Sequence, residues 1–170
     1  MHSQAQVALA GKPSALPIIA RAGLLCGAMD ITAAIIVYGH YGARPIPLLQ
    51  GIAGGLLGPQ AWNGGLPTAF LGLACHFFIA FSAATVYFVV SRKFAFLIDH
   101  GVVSGLVYGP VVYFFMNRIV VPFSRAHKYP FSVKMMLIGV TIHIFCVGLP
   151  IATVVSRYSR PGAPGCARPR

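Results

Sequence analysis

LPTAFLGLACHFFIAFSAATVYFVVSRK, residues 66–93, sets the architecture. From Leu66 to Ser91 it holds no Asp, Glu, Lys or Arg, and Arg92-Lys93 then ends the run. A hydrocarbon core of about 30 Å takes roughly 20 helical residues, so this stretch predicts a transmembrane helix over 66–90. Three further runs are apolar enough and long enough to span as well: 17–38, 101–121 and 134–156. The fold class expected is all-α, an integral membrane four-helix bundle, because backbone polar groups in lipid must be satisfied within the segment.

Composition agrees. The chain of 170 residues is 57% hydrophobic and 9% charged. Soluble domains carry roughly 25% charged residues, so this chain has too few charges to cover a water-facing surface. The net charge of +11 would suggest nucleic acid in a soluble protein, but the cations lie at the ends of apolar runs. They read as topology and headgroup contacts, and the partners expected are the lipid bilayer and its anionic headgroups, with no nucleic acid.

Between the first two spans, IPLLQGIAGGLLGPQAW (residues 46–62) is apolar but too short and glycine-rich for a span. Pro45 and Pro47 suit a helix start. A short interfacial or re-entrant helix is expected over 46–60, with Trp62 at headgroup depth. Residues 1–16 and the Pro/Gly-rich basic tail 157–170 are expected to be disordered. The first run contains Asp30 and lacks an A-x-A site, so it reads as a span rather than a cleaved signal.

Four spans place both termini on one side. That side carries Lys12, Arg21, Arg92, Lys93, Arg157, Arg160, Arg168 and Arg170, against Arg44, Arg118, Arg125, Lys128 and Lys134 on the other. The excess predicts both termini in the cytoplasm. Arg118 and Lys134 are expected to snorkel. Asp99-His100, at the start of the third span, suits a helix N-terminus.

Small and polar residues recur at steps of three and four: Gly23, Gly27, Asp30, Ala34; Gly72, His76, Ala80, Ala84; Gly101, Gly105, Gly109, Tyr113, Asn117; and Gly139, His143, Cys146, Pro150. Such steps keep residues on one helix face, and small faces let membrane helices approach closely. They also offer surfaces for a homo-oligomer. Asp30, His76, Tyr113 and His143 fall at one depth, roughly 12–15 Å below one boundary at 1.5 Å per residue. A lone carboxylate there is costly, so a cluster of Asp30, His76 and His143 with Tyr113 nearby is expected. Such a cluster fits a register-fixing structural role, or the handling of protons, ions or small molecules. Matched histidines at 76 and 143 also raise a b-type haem, and His76, His143 and Cys146 a metal site. No cofactor is otherwise implied. The four cysteines form no CxxC pair and read as packing thiols. No nucleophile–base pair, phosphate loop or carboxylate pair is present, so enzyme chemistry is not expected.

GLLCGAMDITAAIIVYG (23–39), LLQGIAGGLLGPQAWNGG (48–65) and LGLACHFFIAFSAATVYFVVSR (71–92), with GLVYGPVVYFFMN (105–117) and IHIFCVGLPIA (142–152), resemble a group of small bacterial inner-membrane proteins without an assigned function, distantly similar to the YagU-like family. The resemblance covers roughly residues 20 to 156. It implies a multi-pass membrane protein and brings no catalytic residues. The function expected is structural or accessory, with a small transporter or channel and a haem electron carrier as the alternatives.

Overall fold

The computed structural model describes residues 14–159, and these are helical almost throughout. Four helices are long and apolar enough to cross a membrane: α1 (Ala15–His40), α3 (Gly65–Ser91), α5 (Gly101–Phe123) and α6 (Val133–Ser159). Each extends the range expected from sequence by zero to three residues per end, the ordinary uncertainty of helix termini. Most of the segments expected to be disordered lie outside the described residues. Ala15, Leu16 and 157–159, assigned to those segments from sequence, belong instead to the terminal turns of α1 and α6.

Two short helices complete the chain. α2 (Pro45–Leu57) follows α1 after a four-residue turn, and α4 (Phe96–Asp99) links α3 to α5. α2 begins at a proline, which suits a first helical turn. It ends sooner than expected from sequence because Gly58 adopts φ +67°, where glycine is favoured, and Gly58–Asn63 winds on as a tighter 3₁₀ turn. At the start of α5, His100 occupies the N-cap position and Asp99 closes α4.

α1 packs on α3 and α6, and α5 packs along α6. Glycines make the last contact close. A Cβ on Gly109 would lie 2.6 Å from the carbonyl oxygen of His143, and one on Gly105 2.9 Å from that of Gly148. The backbones of α3 and α5 stay further apart and meet through tyrosines. Tyr108 donates to the Ala83 carbonyl at 2.8 Å, and its ring lies edge-on to Tyr87 at 4.9 Å.

The buried core gathers toward the ends of the helices near the two termini: Ile18, Ala22 and Cys26 of α1, Ala84, Tyr87 and Phe88 of α3, and Ile151, Ala152 and Val155 of α6. At the opposite end the bundle is wedged by α2. A Cβ on Gly72 of α3 would collide with the Leu49 carbonyl, so the α2 backbone rests directly on α3. Gln50, 5% exposed, anchors the wedge. Its Nε2 donates to the Gly65 carbonyl at 3.0 Å and to Thr68 Oγ1 at 3.3 Å, and Thr68 Oγ1 donates to the Ala61 carbonyl at 2.8 Å. This end is called the cap end below.

The outer surface is apolar. Phe123 is 88% exposed, and Leu16, Phe70 and Phe78 are exposed as well. Monomeric soluble proteins rarely carry contiguous apolar surface on this scale. Cations at the helix ends lie over aromatic faces: Arg21 over Tyr158 (4.7 Å), Lys134 over Tyr41 (4.7 Å) and Arg118 over Phe131 (5.9 Å). Such stacking lets a long stem cover apolar surface while the charge sits beside a ring.

α5 and α6 each contain one π-helical turn, Met116–Val120 and Ile144–Gly148. Pro122 and Pro150 lie four residues after the central residues of these turns, Arg118 and Cys146. A proline supplies no N–H to the carbonyl four residues back and its ring crowds that carbonyl. Both helices widen where that bond is lost. Pro110, also inside α5, sits in regular helix.

Candidate functional site

The four residues singled out at one depth lie ten or eleven residues from the cap-end termini of their helices: Asp30 from His40, His76 from Gly65, Tyr113 from Phe123 and His143 from Val133. At 1.5 Å per residue this is one level, roughly 15–17 Å along the bundle. Successive spans run antiparallel, so equal sequence distance from the cap end becomes equal height.

Asp30, His76 and His143 line one cavity of about 230 Å³ in the seam between α3 and α5. Its walls also include Met116 and Asn117 from the π turn of α5, and Ile52 from α2. The Asp30 carboxylate faces His143: Oδ1 and Nδ1 are 4.0 Å apart, with the Asp30 side chain 17% exposed. Tyr113 packs its ring edge-on against His143 at 5.3 Å between centroids. A Cβ on Gly139 would strike that tyrosine ring, so the glycine leaves the room the ring occupies.

The hydrogen bonds assign the protons. Nε2 of His76 is 2.9 Å from the Gly27 carbonyl, and Nδ1 of His143 is 2.9 Å from the Gly139 carbonyl. A carbonyl oxygen only accepts, so each of these nitrogens carries its hydrogen. Each imidazole therefore has one nitrogen committed as a donor, while the other, Nδ1 of His76 and Nε2 of His143, makes no hydrogen bond among the described residues. Asp30 Oδ1 is buried and accepts no hydrogen bond among the described residues. His76 gives its proton to the α1 backbone and not to Asp30, so the expected three-way contact is an Asp30–His143 pair with His76 on the same cavity wall.

Neither cofactor raised from sequence fits. Among the described residues no three His, Cys, Asp or Glu side chains gather as a metal's ligand set, so His76, His143 and Cys146 do not form one. The reason lies in α6. The three-residue spacing of His143 and Cys146 matches one face only in a regular α-helix, and the π turn beginning at Ile144 changes that phase. For haem, each histidine keeps a free nitrogen, but room is lacking. A cavity of about 230 Å³ is smaller than the ~300–1,000 Å³ of sites for drug-sized ligands, let alone a macrocycle.

Most of the residues expected on inward faces are buried, while Ala34 and Cys146 are half-buried and Asn117 is exposed. Gly23, Gly27, Gly72, Ala80, Ala84, Gly101, Gly105, Gly109, Gly139 and Pro150 are buried within the single chain. These faces are occupied by the chain's own helices. Sequence reasoning missed Ile52 and Met116 in the cavity wall and the role of the Gly27 and Gly139 carbonyls. Backbone acceptors carry no residue-type signal, and a short helix of leucines and glycines does not announce which side chain reaches a neighbour's seam. Comparison with known protein families, with curated proteins and with solved structures returned no match.

Proposed function

We propose that this protein is a small multi-pass protein of the bacterial inner membrane, with both termini cytoplasmic, that moves protons or a small cation by way of the Asp30 cavity. In this reading α2 is a re-entrant wedge closing the periplasmic side above the cavity. The resemblance to small inner-membrane proteins and the excess of cations at the terminal side support that placement.

One observation carries the functional reading. Asp30 Oδ1 is buried without a hydrogen-bond donor, beside a cavity onto which two imidazoles with free nitrogens open. A polar cluster kept only to hold helices together would satisfy its acceptors, since an unpaired buried polar group is costly. An acceptor left open beside a polar cavity suits an occupant that comes and goes, and intramembrane carboxylate–histidine sets suit proton relays. A structural or accessory role is the second reading, favoured by the His76–Gly27 bond, which ties α3 to α1.

Flux separates the two. The full chain in liposomes enclosing a pH-sensitive dye is exposed to a pH step, with the membrane potential clamped by potassium and valinomycin. We expect proton flux above that of empty liposomes, reduced at least about tenfold in Asp30→Asn with unfolding unchanged. Flux equal to empty liposomes in a potassium, sodium or proton gradient, or an unaltered flux in Asp30→Asn, would overturn the transport reading. An Asp30→Asn variant that changes stability alone would favour the accessory one.

A further inference from the structure

The cap end holds a second concavity, separate from the Asp30 cavity and independent of what that cavity does. It is a cleft of about 400 Å³ between the 3₁₀ turn Gly58–Asn63 and the segment after α5, lined by Pro59, Trp62, Arg125, His127 and Lys128. Its walls are held by backbone. The Arg125 N–H donates to the Gly55 carbonyl at 3.0 Å, and the Ala126 N–H donates to Ser124 Oγ at 3.2 Å. Gly58, at φ +67°, turns the chain so that its α-carbon faces the Arg125 side chain, whose Nε would lie 3.6 Å from a Cβ there. The His127 ring is braced edge-on by Tyr129 at 4.7 Å.

The charges in this cleft have no counter-ion. Neither the Arg125 guanidinium nor the Lys128 ammonium has a hydrogen-bond or ion-pair partner among the described residues. The sequence explains why. The whole chain contains two acids, Asp30 and Asp99. Asp30 faces His143 deep in the bundle, and Asp99 closes α4 at the opposite end. Five cations therefore crowd the cap end with no carboxylate of their own: Arg44, Arg118, Arg125, Lys128 and Lys134.

We propose that this cleft binds a phosphate group, with Arg125 and Lys128 as the charged ligands and the Trp62 indole N–H and His127 as further donors. A guanidinium matches phosphate oxygens in a planar fork, and an ammonium adds a compact point charge. The surroundings suit an amphiphile. Phe123, Tyr129 and Phe131, 88%, 72% and 69% exposed, flank the segment as a belt of the kind found at headgroup level. A phospholipid headgroup and free phosphate share this chemistry, and the test separates them.

Trp62 is the single tryptophan of the chain, so fluorescence excited selectively at tryptophan, beyond the absorption of the seven tyrosines, reports on the cleft. The full chain in a neutral detergent at moderate salt is titrated with short-chain phosphatidylglycerol and, separately, with inorganic phosphate. A saturable change is expected, with affinity weakened at least about tenfold in the double variant Arg125→Gln/Lys128→Gln. Arg157→Gln, at the opposite end, should titrate like the parent. A response to phosphatidylglycerol alone assigns the site to lipid, and an equal response to inorganic phosphate assigns it to the free anion. No saturable change with either probe, or a double variant that titrates like the parent while keeping its circular dichroism, would overturn the site.

Discussion

Gly109→Ala tests whether the α5–α6 contact is as close as the structure has it. The added Cβ would lie 2.6 Å from both the His143 oxygen and the Ile144 Cα, and 2.7 Å from the Ile144 nitrogen. All three are backbone atoms, so no side chain can rotate away. Restoring a separation of 3.4 Å from 2.6 Å requires the helices to part by about 0.8 Å. A radial gap of 0.5–1 Å forfeits about a quarter to a half of each dispersion well around it. Packing of this kind is the main attraction between helices in lipid. Overpacking costs of about 1–3 kcal/mol are typical, and Gly109→Ala should fall in that range. Gly54→Ala is the control. It lies within α2 with nothing inside 4 Å of its Cβ, so the alanine should be neutral or gain about 0.5–1 kcal/mol through helix propensity. Equilibrium unfolding in mixed micelles with increasing sodium dodecyl sulfate, followed by far-ultraviolet circular dichroism, reads both. Equal midpoints for the parent, Gly109→Ala and Gly54→Ala would refute the close crossing. The contact is with the backbone of His143, so the same substitution should also shift the Asp30–His143 pair and reduce any flux through the cavity.

Gln50→Leu removes the donor that holds α2 to the Gly65 carbonyl and Thr68; we expect faster hydrogen exchange over residues 45–63 with the long helices unchanged, a local opening. Uniform loss of protection would contradict a separable wedge. Cys26, 1% exposed, should resist maleimide in detergent in a variant that keeps it as the sole cysteine, because only an accessible thiolate reacts, whereas Cys75 and Cys146, partly exposed, should label in their own single-cysteine variants. Prompt labelling of Cys26 would mean the packing of α1 against α3 is wrong.

The count and rough extent of the long helices are legible in the chain because length and apolarity are local properties. The inward faces are legible for the same reason: Gly105 and Gly109, or Gly72 and His76, keep one face at four-residue steps wherever the helix is regular. The shared level of Asp30, His76, Tyr113 and His143 also follows from counting, since antiparallel spans convert equal sequence distance from the cap end into equal height. What counting does not reach is rotation and pairing. The π turn at Ile144–Gly148 changes the angular phase of α6 after His143, which separates Cys146 from the face it would share in a regular helix. His76 finds the Gly27 carbonyl rather than Asp30, because a backbone acceptor across the α1–α3 contact lies within reach and no residue type marks it. The seam that becomes a cavity exists because α3 and α5 are held apart while α1 and α6 bring their other faces together, a balance of packing distributed over the whole bundle and absent from any one segment.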